Sequence, residues 1–281
     1  MNAFGGASVR EALDSAVIAI AAAGSDTPRL DAEVLLADAL GVDRSALFTH
    51  PDREVKGPAV RAFQNAVRRR SAGREPVAYI TGRRGFRHLD LAVDARVLVP
   101  RPETELLVEV GIERLPQGAR VVDVGTGSGA VALALAHERP DLEVLATDTS
   151  ADALDVARAN AKRLGLDGGV TYFQGELLAG LGHVDAVLSN PPYIAEHERA
   201  TLAPEITRHE PPGALFAGED GLDVIRRLVP AAAEAGAGLL AIELGEGQAA
   251  AVTRLMRDAG FEAVHARRDL AGIERVVVGS R

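Results

Sequence analysis

The stretch Val121-Val122-Asp123-Val124-Gly125-Thr126-Gly127-Ser128-Gly129 decides the fold of this 281-residue chain. A mostly apolar strand runs into alternating glycines, and Ala130 to Glu138 then reads as a helix. Strand, glycine-rich turn and helix open a parallel α/β sheet: the turn lets a ligand approach the backbone, and the helix start offers unpaired N–H groups. A second strand, Glu143 to Thr147, ends in Asp148. A carboxylate at that place can take both hydroxyls of a ribose. Its alternative role, capping the helix that starts near Ala151, suits Ser150 better.

Further along, the apolar run Val184 to Leu188 reads as a buried strand and passes through Ser189 into Asn190-Pro191-Pro192-Tyr193. Proline cannot donate to a sheet ladder and fixes its own φ, so the strand must end in a stiff turn. Asn190 then sits at a strand's carboxyl end, where open α/β sheets hold their ligands. The turn presents an amide acceptor, two proline carbonyls and one aromatic ring, which suits a flat group bearing N–H donors. The bland reading of Asn190 is an Asx-type turn residue. A glycine loop with a ribose acid fits two cofactor classes: nicotinamide or flavin dinucleotides, and S-adenosylmethionine. Ala130 at the third position of the dinucleotide fingerprint is tolerated, so the loop alone leaves both open. The amine-gripping turn favours S-adenosylmethionine, because hydride transfer has no use for it.

With these motifs the chain resembles the release-factor glutamine methyltransferases, also called HemK or PrmC. The resemblance is carried by Pro76-Val77-Ala78-Tyr79-Ile80-Thr81-Gly82, Val99-Pro100-Arg101-Pro102-Glu103-Thr104-Glu105, the Gly125 loop, Asn190-Pro191-Pro192-Tyr193-Ile194, Glu210-Pro211 through Gly221-Leu222, and Glu274-Arg275-Val276. It implies a class I methyltransferase architecture: a Rossmann-like seven-stranded sheet with one antiparallel strand. The implied cofactor is S-adenosyl-L-methionine, leaving as S-adenosyl-L-homocysteine, and the implied substrate is the glutamine of the Gly-Gly-Gln loop in class I peptide chain release factors.

The resemblance also implies site roles. Gly125, Thr126, Gly127, Ser128 and Gly129 would line the methionine half of the cofactor and Asp148 its ribose, with Glu176 and Leu177 on the adenine side. Leu177 departs from the aromatic residue that the family often carries there. Asn190, Pro191, Pro192 and Tyr193 would grip the substrate amide, with Tyr193 packing on the flat group. Arg101, Thr104 and Glu105 would contact substrate, although a helix start opened by Pro102 explains them equally well. Rival readings are a ribosomal-protein glutamine methyltransferase, an adenine-N6 nucleic-acid methyltransferase and a dinucleotide-dependent oxidoreductase.

Composition narrows the field. There are no cysteines, and seven histidines are scattered without ligand-like spacing, so neither a disulfide framework nor a metal is expected. No apolar run approaches a membrane span and no leader segment is evident, so a cytoplasmic enzyme, working as a monomer, is the expectation. The net charge is −9 and uneven: residues 101–281 hold 17 basic against 28 acidic side chains. Such a domain is poorly suited to duplex DNA, whose affinity comes mainly from phosphate neutralisation. Arg68, Arg69, Arg70, Arg74, Arg83, Arg84 and Arg87 form a basic cluster that reads either as a solvated helix end or as a docking patch for a protein partner.

Residues 1–75 show helical spacing and read as a small bundle for substrate recognition. Val9, Leu13, Val17 and Ile20 mark a first helix; Leu30, Val34, Leu35, Ala37 and Leu40 a second, stopped by Gly41; Pro58 to Arg70 a third. Residues 76–100 read as a β-hairpin linker, with one strand at Tyr79-Ile80-Thr81 and another at Leu89 to Val93. Strands at 120–124, 143–147, 170–174, 184–188, 238–244, 262–267 and 274–279 alternate with helices through the domain 101–281, and the short link after Arg267 predicts an antiparallel final pair.

Overall fold

The structure is a computed structural model that describes residues 6–281. Its contacts divide the chain into two units, Met1–Gly82 with Ala203–His209, and Arg83–Leu202 with Glu210–Arg281.

The first unit is helical: α1 (Val9–Ala22), α2 (Pro28–Leu40), a short α3 (Ser45–Thr49), α4 (Pro58–Ser71), α5 (Val77–Thr81) and, from the later segment, α9 (Pro204–His209). A capping box starts α1: Ser8 Oγ accepts from Glu11 N, and Glu11 Oε2 accepts from Ser8 N at 2.8 Å. Leu13, Ile20, Leu35, Leu36 and Phe63 fill the core. The expected apolar face of α2 is only partly the buried one, since Leu30 is exposed while Asp31 and Glu33 are buried. Arg70 explains Asp31. Its guanidinium reaches Asp31 Oδ2 at 2.6 Å, Ser25 Oγ at 2.9 Å and Glu205 Oε1 at 2.8 Å. Arg74 completes the network on Glu205 at 2.7 Å, and Arg69 forks onto Glu75. A buried charge is tolerated only when paired, and these arginines are spent on pairing. The basic cluster is therefore not one docking patch; Arg69, Arg70 and Arg74 hold the helical unit together.

Tyr79-Ile80-Thr81, expected as a strand, is helix α5 instead. Pro76 at its start and Gly82 at its left-handed stop are helix signals, and they outweigh the β-propensity of the three residues between. The hairpin begins after it: β1 (Arg83–Phe86) pairs with β2 (Leu89–Ala92) through a turn at Arg87-His88. It groups with the second unit and so is no free linker. Asn160, fully buried, clasps it: Nδ2 donates to Ala92 O and Ser128 O, and Oδ1 accepts from Ala92 N at 2.7 Å.

The second unit continues through α6 (Glu105–Arg114), β3 (Arg120–Val124), α7 (Ala130–Glu138), β4 (Glu143–Asp148), α8 (Ala151–Leu164), β5 (Val170–Gln174), β6 (Ala186–Ser189), α10 (Asp223–Glu234), β7 (Leu239–Glu243), α11 (Ala249–Asp258), β8 (Ala263–Arg268) and β9 (Glu274–Ser280). The seven strands order as β5-β4-β3-β6-β7-β9-β8, and β9 alone runs against its neighbours. Central strands covered on both faces read as near-continuous apolar runs, and Val121, Val122, Val124, Val187 and Leu188 are all buried. Val124 pairs with Thr147 on one side and Ser189 on the other. The order therefore reverses at β3, and a crevice opens over the carboxyl ends of β3, β4 and β6.

Candidate active site

A cleft of about 400 Å³ occupies that crevice, large enough for a nucleoside-sized ligand. Gly125 to Ser128, Asp148, Glu176, Leu177, Asn190, Pro191 and Pro192 all line it, as does Thr104. Five segments far apart in sequence thus converge on one cavity.

The glycine turn is held from behind. Gly125 N and Thr126 N both donate to Thr147 O, at 2.8 and 3.0 Å. Asp123 anchors the turn to α7, its Oδ2 accepting from Thr126 Oγ1 at 2.7 Å and from Ala132 N at 3.1 Å. Burial pushes the Asp123 carboxyl up to about 6 against those two hydrogen bonds. Thr126 and Ser128 side chains are both buried, so the turn meets the cleft mainly with backbone. At Gly127, φ is +54° and an added Cβ would meet nothing within 4 Å, which leaves open space where a side chain would otherwise stand.

Asp148 closes β4 with both oxygens oriented: Oδ2 accepts from Gly127 N at 3.0 Å and Oδ1 from Ser150 N at 2.9 Å. Ser150 is the N-cap of α8, its Oγ accepting from Ala153 N. A carboxylate offers about four acceptor positions, so Asp148 keeps capacity for a diol. Glu176 is exposed and ion-paired with Arg227, beside Leu177, whose carbonyl accepts from Thr147 Oγ1 at 2.9 Å.

At the end of β6, Ser189 Oγ donates to Val124 O at 2.7 Å and locks the strand to β3. Asn190 follows, its Nδ2 donating to Thr104 Oγ1 at 3.1 Å. With the NH₂ end so engaged, the acceptor Oδ1 is turned away from Thr104. Tyr193 does not line the cleft, contrary to the expectation that its ring packs on the substrate amide. Its Oη lies 3.5 Å from Glu243 Oε1, and Gln248 Nε2 donates to its carbonyl at 2.9 Å. Gly221 passes so close beneath that a Cβ there would sit 2.1 Å from Tyr193 O. Burial, then the nearby Glu243, raises the Tyr193 phenol well above its ordinary range. Tyr193 braces the turn from behind.

The segment after Pro100 separates into three roles. Arg101 pairs with the buried Glu210 at 2.7 and 2.8 Å. Burial raises the Glu210 carboxyl, and Arg101 opposes that shift. Glu105 accepts from Arg87 N at 3.0 Å and secures the hairpin turn. Neither residue lines the cleft; Thr104 does, and it is buried against Asn190. Residues that sequence reasoning missed include Asp123, Asn160, Gln248, Glu243 and the cleft wall at Arg96 to Leu98. Asp123 alone carried a signal, as a polar residue inside an apolar strand.

Comparison with known proteins places this geometry. The PrmC N-terminal domain matches residues 11–82, and the methyltransferase small domain matches residues 102–212. A release factor glutamine methyltransferase of Xylella fastidiosa is 46% identical over 275 residues, covering 95% of this chain and 98% of the relative. That of Deinococcus radiodurans is 43% identical, covering 97% and 98%. The chain belongs to the release factor glutamine methyltransferase family. Among solved structures, the catalytic domain of hMettl16 in complex with MAT2A 3'UTR hairpin 6 aligns with a TM-score of 0.56 at 17% identity, over 79% of this chain and 81% of that one. A methyltransferase from Pyrococcus furiosus aligns with a TM-score of 0.51 at 18% identity, over 68% and 88%. Both likenesses concern the fold, the class I methyltransferase sheet that the family's members share with more distant enzymes.

Among the described residues, no cluster of His, Asp and Glu could hold a metal ion, and no helix is long and apolar enough to cross a membrane.

Proposed function

We propose that this enzyme transfers the methyl group of S-adenosylmethionine to the side-chain amide nitrogen of the glutamine in the Gly-Gly-Gln motif of class I peptide chain release factors. The observation that carries the reading is the Asn190 carboxamide, held by Thr104 beside the Gly125 turn in the lining of one cleft.

The residues present fit the cofactor. The open backbone at Gly127 and the remaining acceptor capacity of Asp148 suit an amino-acid tail and a ribose diol. Gly125, Thr126, Gly127 and Ser128 would line the methionine part through their backbone, whereas Gly129, also expected there, faces Leu133 and Ala157 outside the cleft lining; Asp148 would hold the ribose, and Glu176 and Leu177 would border the adenine. When bound, S-adenosylmethionine supplies an electrophilic methyl on a sulfonium and is released as S-adenosylhomocysteine.

The chain's own task is orientation. Amide conjugation, strong enough to give a rotation barrier of about 18–20 kcal/mol, makes the substrate nitrogen a poor nucleophile. Asn190 Oδ1 and the Pro191 carbonyl would each accept one N–H of the substrate NH₂, which enriches the nitrogen and directs its lone pair away from both acceptors. Holding reactants in line contributes up to about 7–11 kcal/mol. Pro191 and Pro192 stiffen the turn, so little entropy is lost when the amide docks. No general base is assigned, because the methylated nitrogen is cationic and loses its proton readily to water.

The helical unit, which we assign the expected role of recognising the release factor, carries no concentration of catalytic side chains. A monomer suffices, since every group named lies on one chain, and a cytoplasmic location goes with the substrate. Mass spectrometry of a release factor after incubation with enzyme and isotopically labelled cofactor tests the proposal. Label on the Gly-Gly-Gln glutamine is the expected result. Label absent from the release factor, or found instead on a ribosomal protein or an adenine, overturns it.

A further inference from the structure

Strands β3 and β4 pin the glycine turn at Gly125, Thr126 and Gly127, but Ser128 is pinned from elsewhere. Its carbonyl accepts at 2.9 Å from Nδ2 of Asn160, a residue of α8. The same Nδ2 donates to Ala92 O at 3.0 Å, and Oδ1 accepts from Ala92 N at 2.7 Å. Arg163, three residues on, donates to Asp90 O and reaches Asn160 Oδ1 at 3.4 Å. A side-chain amide has two N–H donors, and Asn160 uses both, one on each carbonyl. A fully buried polar group costs stability unless it is hydrogen-bonded, and this one is bonded through both its nitrogen and its oxygen.

Ala92 ends β2, and the chain after it runs into the cleft. Val93 to Pro100 form neither helix nor strand, yet Arg96, Val97, Leu98 and Pro100 line the cavity. Irregular backbone is steady only where hydrogen bonds and packing hold it. Asn160 holds one end of this segment at Ala92, and Arg84 holds the other, its Nε donating to Pro100 O at 3.2 Å. The hairpin itself, β1 and β2, does not line the cavity. One carboxamide thus joins the turn proposed to hold the methionine part of the cofactor to the segment that walls the same cleft. We infer that Asn160 is a positioning residue for the cofactor: through Ser128 O and Ala92 it keeps the glycine turn and the Arg96–Leu98 wall at one spacing, so that S-adenosylmethionine meets a preformed cleft. Preformed walls bind more tightly because less ordering remains to be done on binding. The inference rests on the cofactor placement proposed above and adds the residue that ties its two sides together.

Asn160→Leu keeps the branched shape and removes these hydrogen bonds. Its KM and dissociation constant for S-adenosylmethionine should rise by roughly 10- to 100-fold, the scale of buried backbone groups left unpaired, while kcat at saturating cofactor stays within a few-fold. Met256→Ala, buried in α11 and outside the cleft lining, controls for lost stability: it should lower the melting temperature and leave the dissociation constant unchanged. Hydrogen exchange read by mass spectrometry gives a second measure. S-adenosylhomocysteine added to the wild type should slow exchange in residues 83–92 as well as 125–129, although the hairpin does not line the cleft. In Asn160→Leu, or in Asn160→Ser should the leucine variant not fold, the turn should still be protected and the hairpin no longer. An unchanged dissociation constant in the Asn160 variant, an equal loss of affinity in Met256→Ala, or a wild-type hairpin left unprotected by the product each overturns the inference. Failure of the cofactor placement is distinguishable, because Asp148→Ala would then leave affinity unaltered as well, whereas failure of the inference alone leaves the Asp148 effect in place.

Discussion

Asn190 donates its side-chain N–H to the Thr104 hydroxyl at 3.1 Å, across 86 residues of sequence. The contact converts a turn residue into an oriented acceptor. Asn190→Ala should therefore reduce kcat by ~100- to 1,000-fold, the order seen on removing one preorganised hydrogen-bonding group from an active site. The cofactor dissociation constant should stay within a few-fold. Steady-state kinetics on a release factor, paired with calorimetric titration of the cofactor, reads both; an unchanged kcat removes Asn190 from the chemistry.

Asp148 accepts two backbone N–H groups and is proposed to keep acceptor capacity for the ribose. Asp148→Ala should weaken S-adenosylmethionine binding by about 10- to 100-fold, as expected for charge-assisted hydrogen bonds. Calorimetry reads the change directly. If affinity is unaltered, Asp148 serves only to brace the turn and the start of α8.

Arg70 lies among Asp31, Ser25 and Glu205, and both it and Asp31 have side chains only 8% exposed. Arg70→Met would leave Asp31 without its counter-ion and Glu205 to Arg74 alone. Breaking a buried pair by removing one member costs about 3–5 kcal/mol. Urea unfolding should show that loss for Arg70→Met and much less for Arg68→Met, because the Arg68 side chain is exposed and donates to the neutral Asn65. Equal, small effects from both would return Arg70 to the solvated surface.

The buried Glu243 makes stability depend on pH with a definite sign. Its folded pKa, about 7, stands above the ordinary 4.5, so between these values the folded chain holds a proton that the unfolded chain has lost. Its contribution is fully present below pH 4.5 and disappears as pH rises through 7. The amount is on the order of 3 kcal/mol. Glu243→Gln should remove this decline, so the variant gains on the wild type in melting temperature between pH 5 and 8. Parallel melting curves for the two proteins across that range would show that the burial carries no such linkage.

Much of the catalytic unit was legible because its signals are local. Val121 to Gly129 contain a strand, a turn and a helix start within a few residues, and the two prolines after Asn190 admit no continuation of the sheet. The short link between β8 and β9 likewise leaves room only for an antiparallel pair. What stayed hidden depends on distant partners. Asp31 and Glu33 sit on an otherwise apolar helical pattern, and Asp31 is explained by Arg70 some 39 residues away. Glu243 closes a strand whose other residues are apolar, and its neighbour Tyr193 is one that the fold alone brings near. Tyr79 to Thr81 misled because β-favouring side chains occupy a stretch whose ends, Pro76 and Gly82, set a helix. Tyr193 was placed on the correct turn, but spacing does not reveal which way its ring points.

Glu205 lies in Ala203–His209, a seven-residue stretch that counts with the helices although it stands in the sequence between Asn190 and Glu210. The boundary between the units is thus not a single point of the chain. Excising the amino-terminal helices at the gene level would orphan Glu205 inside what remained, and grafting those helices onto another enzyme would leave Arg70 and Arg74 without this counter-ion. The two parts can be inherited, expressed and redesigned only as one piece.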